Sequence, residues 1–234
     1  MTLELDNRPL RQQIHLDRKA LRLTALFIGL TGYGVSMAGI MRAGLGVDPW
    51  DVLHVAVAQK TGLSVGTVVV LTALVVLLAW WPLKQHPGIG TLANAVWIGV
   101  ACDAALAVLP TPEDLAARIA LLCSSVLING LADAVYIGAQ LGPGPRDGLM
   151  TGLHRVTDQP IGVLRVLIEG VVLLTGWALG GPIGPGTVLY ALTIGPIVHF
   201  ALPRVLIRVQ DRPTTRMVRP TAKNRGPSLE RKKH

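Results

Sequence analysis

Two aspartates, a proline and a tryptophan stand together at Asp48-Pro49-Trp50-Asp51, between apolar stretches, and Pro145-Arg146-Asp147 repeats the same Pro-x-Asp-x-Leu skeleton further along the chain. Read locally, the first is a helix start. Asp48 serves as N-cap, Pro49 takes the first helical position where its missing N–H costs nothing, and Asp51 meets the free amides and the positive end of the helix dipole. The second copy has Gly144 in place of the cap and Arg146 in place of Trp50. The free N–H groups of such a start also bind anions or a substrate carboxylate, with Arg146 adding a positive charge. Asp48, Pro49, Trp50, Asp51, Pro145, Arg146 and Asp147 are therefore the candidate substrate-binding set. Capping explains the proline and the acids; it does not explain why a short helix should start between apolar runs twice.

The other residues with chemical potential lie inside apolar runs, where ionisable groups are costly and are functional candidates by default. Arg165 and Glu169 are spaced i, i+4 on one helix face and can neutralise each other. Asp103 and His199 hold equivalent places in the two halves described below. An acid and an imidazole so placed suit a proton relay, and each alternatively sits near a membrane surface and is solvated. Asp133, Asn94 and Asn129 are expected to face the interior of a bundle. These polar residues, Asp103, Asp133, Arg165, Glu169 and His199 foremost, form the candidate coupling set.

Catalytic patterns are missing. The sequence contains neither HExxH nor GxSxG, and no His–Cys pair has catalytic spacing. Cys102 and Cys123 lack CxxC spacing and nearby histidines, so they are read as buried apolar thiols rather than a disulfide or zinc site. No enzyme activity, metal or cofactor is expected.

The elements that must position these residues are membrane helices. Half of the 234 residues are hydrophobic and 15% are charged, whereas soluble domains are about a quarter charged. Runs of about 20 apolar residues, enough to cross a bilayer, occupy Leu23 to Met41, Ser64 to Leu83, Thr91 to Leu109, Leu115 to Ala139, Ile161 to Leu179 and Thr187 to Leu206. The first run follows Arg18, Lys19 and Arg22 without a small-residue cleavage site, which marks a retained signal-anchor.

An internal repeat organises these spans. Shifted by 96 residues, Gly46 to Gly99 lies on Gly142 to Gly195 without a gap, and 20 of 54 positions are identical, far more than apolar composition alone gives. Among them are Pro49 on Pro145, Asp51 on Asp147, Gly66 on Gly162, and Gly88/Gly90/Thr91 on Gly184/Gly186/Thr187. The offset reaches back to Arg22 on Arg118 and Gly34 on Gly130. The GxGT pairs are read as tight turns that permit close helix approach.

The expected fold class is thus an all-α membrane protein of about six transmembrane helices, arranged as two three-span inverted repeats, each with a short re-entrant or interfacial helix. An odd number of crossings per repeat forces the halves into opposite orientations, as in many secondary transporters. The alternative, in which the segments after Pro49 and Pro145 also cross and the repeats are parallel, is disfavoured because those segments are short and polar.

Charge sets the orientation. From Ala201 onward ten Lys or Arg face two acids, and such a segment after a span holds that end in the cytoplasm and touches anionic lipid. Both termini are expected to be cytoplasmic, in a bacterial cell membrane, with Lys84, Arg146 and Arg155 inside and the acidic Pro110 to Asp114 turn outside. Arg42 and Lys60 are the exception to the positive-inside pattern. The domains are a polar N-terminus, 1–19; membrane repeat 1, 20–109; membrane repeat 2, 110–206; and a basic tail, 207–234, whose composition resists burial and order.

The stretches GLGVDPWDVLHVAVAQKTGLSVGT, PGIGTLANAVWIG, GPRDGLMTGLHRVT, RVLIEGVVLLTGWALGGPIGPGT and IGPIVHF resemble the bacterial YczE-like integral membrane proteins, and more distantly the YitT group. The likeness runs from about Ala20 to Pro203, leaving the polar N-terminus and the basic tail outside it. It implies a multi-pass cell-membrane protein and carries over no catalytic or binding residues.

The leading functional expectation is a transporter or permease-like protein for a small polar or anionic solute, in contact with the lipid bilayer and open to homo-oligomerisation. The alternative is a membrane accessory or scaffold protein that supports a partner enzyme or export system through its basic tail. Nucleic acid is not an expected partner.

Overall fold

The computed structural model describes residues 17–207. Most of the polar N-terminus and the basic tail, with the order and lipid contact expected of that tail, lie outside the described residues.

Among the described residues the chain is all-helical: α1 (Lys19–Ala43), α2 (Pro49–Thr61), α3 (Val65–Ala79), α4 (Ile89–Val108), α5 (Leu115–Gly138), α6 (Pro145–Thr157), α7 (Ile161–Ala178) and α8 (Pro185–Val205). Five of them, α1, α4, α5, α7 and α8, are long and apolar enough to cross a membrane, and α2 with α3, bent by 116° at their junction, makes a sixth if counted together. The protein is a multi-pass membrane protein. Each of α5 to α8 starts 96 residues after its counterpart in α1 to α4.

The expected second span needs correction. Its helix, α3, has 15 residues and stops at Ala79 rather than Leu83, so it rises only about 22 Å against a hydrocarbon core of about 30 Å. Trp80 to Lys84 form turns, with Lys84 at a φ of 50°; Pro82 lies within them and has no N–H for a helical bond.

The starts of α2 and α6 follow the expected chemistry. Asp48 accepts hydrogen bonds from the amides of Trp50 (2.7 Å) and Asp51 (2.9 Å), while Gly144 caps α6 without a side-chain bond.

The centre is α1 packed antiparallel on α5, and small residues bring the two close. A Cβ on Gly29 would lie 2.6 Å from the Tyr136 amide nitrogen, and one on Gly39 would lie 2.3 Å from Ser125 Oγ. In the same way α4 seats on α1 at Gly34, against Ala101 and Cys102, and α8 on α5 at Gly130, against Ile197. Cys102 is buried there, as expected, whereas Cys123 is exposed on α5 and is not a core thiol.

Bonds at the ends of this core run reciprocally. Arg22, fully buried at the start of α1, donates to the Ala139 carbonyl past the end of α5 (2.9 Å). Arg118, near the start of α5, donates to the carbonyls of Ala43 (2.7 Å) and Gly44 (2.6 Å) at the end of α1. The GxGT helix starts behave likewise. Gly90 N donates to Leu141 O and Gly186 N to Leu45 O, each at 2.7 Å. Beside these bonds, Gly46 and Gly142 hold φ near +108° and +109°, a left-handed backbone that suits glycine.

The short helices are exchanged between the halves: α2 packs on α7, and α6 on α3. In one contact the Trp80 ring at the end of α3 occupies the space over Gly148 of α6; in the other, Val52 of α2 fits against Gly176 and Gly181. Trp80 and Gly176 are 96 residues apart, as are Val52 and Gly148, so the large and small partners change places.

Candidate functional site

The two Pro-x-Asp helix starts meet. Arg146 Nη1 lies 3.9 Å from Asp48 Oδ2, and its guanidinium sits 4.9 Å from the Trp50 ring centre, a cation–π contact worth more where water is scarce. Around this junction is a cavity of about 960 Å³ whose wall includes Asp48, Pro49, Trp50, Pro145, Arg146 and Asp147. Six of the seven residues expected to bind solute thus line one space.

Asp51 is the exception. It is 1% exposed, does not line the cavity, and holds His54 Nδ1 at 2.9 Å. His54 does reach the wall. The Asp51 carboxylate therefore fixes a neighbour's ring from behind. Trp50 Nε1 is buried without a hydrogen-bond partner, whereas Trp80 Nε1 donates to Pro145 O at 3.0 Å and so anchors the start of α6.

The other polar residues divide. Asp133, Arg165, Glu169, His199 and Asn94 line the cavity, and Arg165 pairs with Glu169 at 2.9 Å as their spacing suggested. Asp103 does not join them. It accepts from Ser64 Oγ (2.6 Å) and Gly66 N (2.7 Å), clamping the start of α3 to α4. His199 packs edge-on against Phe200, ring centres 5.7 Å apart. Asp103 and His199 are not brought together, and Asp103 has a structural occupation.

Sequence reasoning passed over the tyrosines. The chain has three, and Tyr33, Tyr136 and Tyr190 all line the cavity. Tyr136 donates to Asp147 Oδ2 (3.4 Å) and Tyr190 to Asn129 Oδ1 (2.9 Å); Asn129 Nδ2 in turn donates to Ser36 Oγ (3.0 Å). Each bond satisfies a polar group that would be expensive to bury alone. The signal available was a polar-tipped aromatic inside an apolar run, three times over.

A family model described as a family of unknown function (DUF6198) matches residues 20–203. The chain belongs to this family. The bounds coincide with the membrane part of the chain and leave out the basic tail. Among relatives of the DUF6198 chain, an uncharacterized protein of Haemophilus influenzae is 37% identical over 180 residues, covering 77% of this chain and 83% of the relative. The uncharacterized membrane protein YczE of Bacillus subtilis is 37% identical over 187 residues, covering 79% and 86%. YyaS of the same organism is 28% identical over 182 residues, covering 76% and 90%. The resemblance to YczE-like proteins is therefore borne out. No solved structure matches.

Proposed function

We propose that this protein is a membrane carrier for a small polar solute, built of two inverted halves, residues 20–109 and 110–206, with both ends of the chain in the cytoplasm. The observation that carries the reading is the cavity where two helix N-termini, one from each half, meet across the Arg146–Asp48 contact. Supporting the inversion, Arg22 and Arg118 cap each other's helices in exchange, the pattern of a two-fold relation between antiparallel elements.

The wall also narrows the solute. Four carboxylates, Asp48, Asp133, Asp147 and Glu169, face two guanidiniums, Arg146 and Arg165. Carboxylates outnumber guanidiniums on this wall, so a solute bearing an amine or another cationic group fits better than an anion. The three tyrosines supply hydroxyls and flat apolar faces to hold the rest of it.

The test is ligand-induced stabilisation of the full-length protein in detergent, followed by uptake into proteoliposomes, with panels of small amines, zwitterions and carboxylates. An amine or zwitterion that raises the melting temperature and is accumulated, both effects weakened in Asp147→Asn, is the expected result. Stabilisation and uptake confined to carboxylates would reverse the charge assignment, and absence of uptake across all three panels would end the carrier reading.

A further inference from the structure

The two halves differ in one place where their sequences agree. In the first, α3 lies directly on α4 through a glycine pair: a Cβ on Gly66 would stand 2.1 Å from Gly99 O, and one on Gly99 would stand 2.4 Å from Gly66 O and 2.9 Å from Val70 Cγ2. Glycine at both positions is what permits backbone to touch backbone. The second half has the same residues 96 positions on, Gly162 in α7 and Gly195 in α8. Nothing lies within 4 Å of a Cβ built at either one.

This gap continues the cavity. Val166 of α7 and Gly195 of α8 both belong to the cavity wall, yet Val166 is 71% exposed. Two surfaces shaped for close contact thus stand apart on either side of the candidate site.

We propose that α7 swings against α8 to shut the cavity, making through Gly162 and Gly195 the contact that Gly66 and Gly99 make in the first half. The residues around the two pairs explain why one is shut and the other open. Asp103 fastens the α3 start through Ser64 Oγ and Gly66 N. At the equivalent places the second half has His199 and Pro160, so Pro160 offers no hydroxyl and no carboxylate faces the Gly162 amide from position 199. The α7 contact is an unlatched copy of the α3 contact, free to form and release. Closure also carries Arg165, the counterpart of Val69, toward the wall that bears Asp133 and Asp147, where a cation is wanted once solute has left. The purpose of the movement rests on the carrier reading; its geometry does not.

The experiment uses the full chain with Cys102 and Cys123 replaced by alanine and cysteines placed as Val166→Cys with Gly195→Cys, the counterparts of Val70 and Gly99. A disulfide requires Cβ atoms about 3.5–4.5 Å apart, which closure supplies, whereas at present nothing lies within 4 Å of a Cβ built at Gly195. In membranes treated with a mild oxidant, the expected result is a bond within one chain, read as loss of maleimide labelling at both positions without a dimer on a gel.

Adding Gly162→Leu should abolish that bond without lowering the melting temperature, because the leucine enters space that is open now and filled only on closure. Persistent labelling of both cysteines in the pair, with the protein folded by size exclusion, would overturn the gate. So would cross-linking between two chains, which would assign the gap to a second copy. Intramolecular cross-linking without uptake of any solute would retain the movement and remove the carrier reading.

Discussion

Arg22 and Arg118 each close the end of the helix to which the other belongs. Arg22 at the head of α1 bonds the carbonyl at the foot of α5, and Arg118 near the head of α5 bonds the carbonyls at the foot of α1. A guanidinium at a helix C-terminus satisfies carbonyls that have no partner within the helix and opposes the negative end of its dipole. Arg22→Gln should therefore lower the stability of the folded protein by about 1.5–3 kcal/mol, seen as a drop in melting temperature in detergent. Arg118→Gln, at a more exposed site, should lower it by less. The two changes act at opposite ends of the core, so the double variant should show their sum.

The fit of Trp80 over Gly148 gives a sharper contrast. A Cβ at Gly148 would sit 1.9 Å from the Trp80 ring, so Gly148→Ala must displace the indole and with it the bond to Pro145 that anchors α6. It should destabilise by about 1–3 kcal/mol. Gly170→Ala, in the middle of α7 with open space around it, should stabilise by up to about 1 kcal/mol through helix propensity alone. Paired thermal melts of the two variants check the sign as well as the size.

Asp51 and Asp147 occupy matching positions, but one lies behind the cavity wall and the other within it. Asp51→Asn weakens the 2.9 Å contact with His54 and should lower thermal stability, with a coupling of about 0.5–3 kcal/mol in a double-mutant cycle with His54→Asn. Asp147→Asn should leave the melting temperature of the empty protein within a few degrees and weaken solute-induced stabilisation instead.

Tyr190→Phe removes the donor to Asn129 Oδ1 and leaves that buried oxygen unpaired. The expected cost is about 1–3 kcal/mol. Tyr190→Phe combined with Asn129→Leu, which removes both ends of the bond, should recover part of that loss. Melting curves of the single and double variants decide between a bond that is needed and a site that only requires bulk.

How much of this could be read from the chain depends on how far each interaction reaches. The helix starts at Pro49 and Pro145, the Asp48 cap and the Arg165–Glu169 pair were legible because each is decided within five residues. The shortness of α3 was not, since hydropathy continues past Ala79 while the backbone turns at Trp80. Asp51 and Asp147 looked equivalent because their local sequences are; the cavity distinguishes them only through helices from elsewhere in the chain. Asp103 was read as a relay or a surface group, because its partners Ser64 and Gly66 lie 39 and 37 residues away. Arg22 and Arg118 served as evidence of repetition, but their bonds to the opposite helix end cross 117 and 75 residues; apart from the Arg22–Asp17 pair, nothing local announces what either arginine holds.

The exchange of helix caps bears on ancestry as well as on stability. A chain of half this length, carrying one arginine and one helix end, would leave the carbonyls at that helix end without the guanidinium that bonds them here. It could regain that bond beside a second copy packed antiparallel to it, in which each copy lent its arginine to the other. Fusion of two such copies would make that pairing permanent and free each half to diverge. The different fates of positions 103 and 199, clamp in one half and cavity wall in the other, are the kind of difference such divergence would leave.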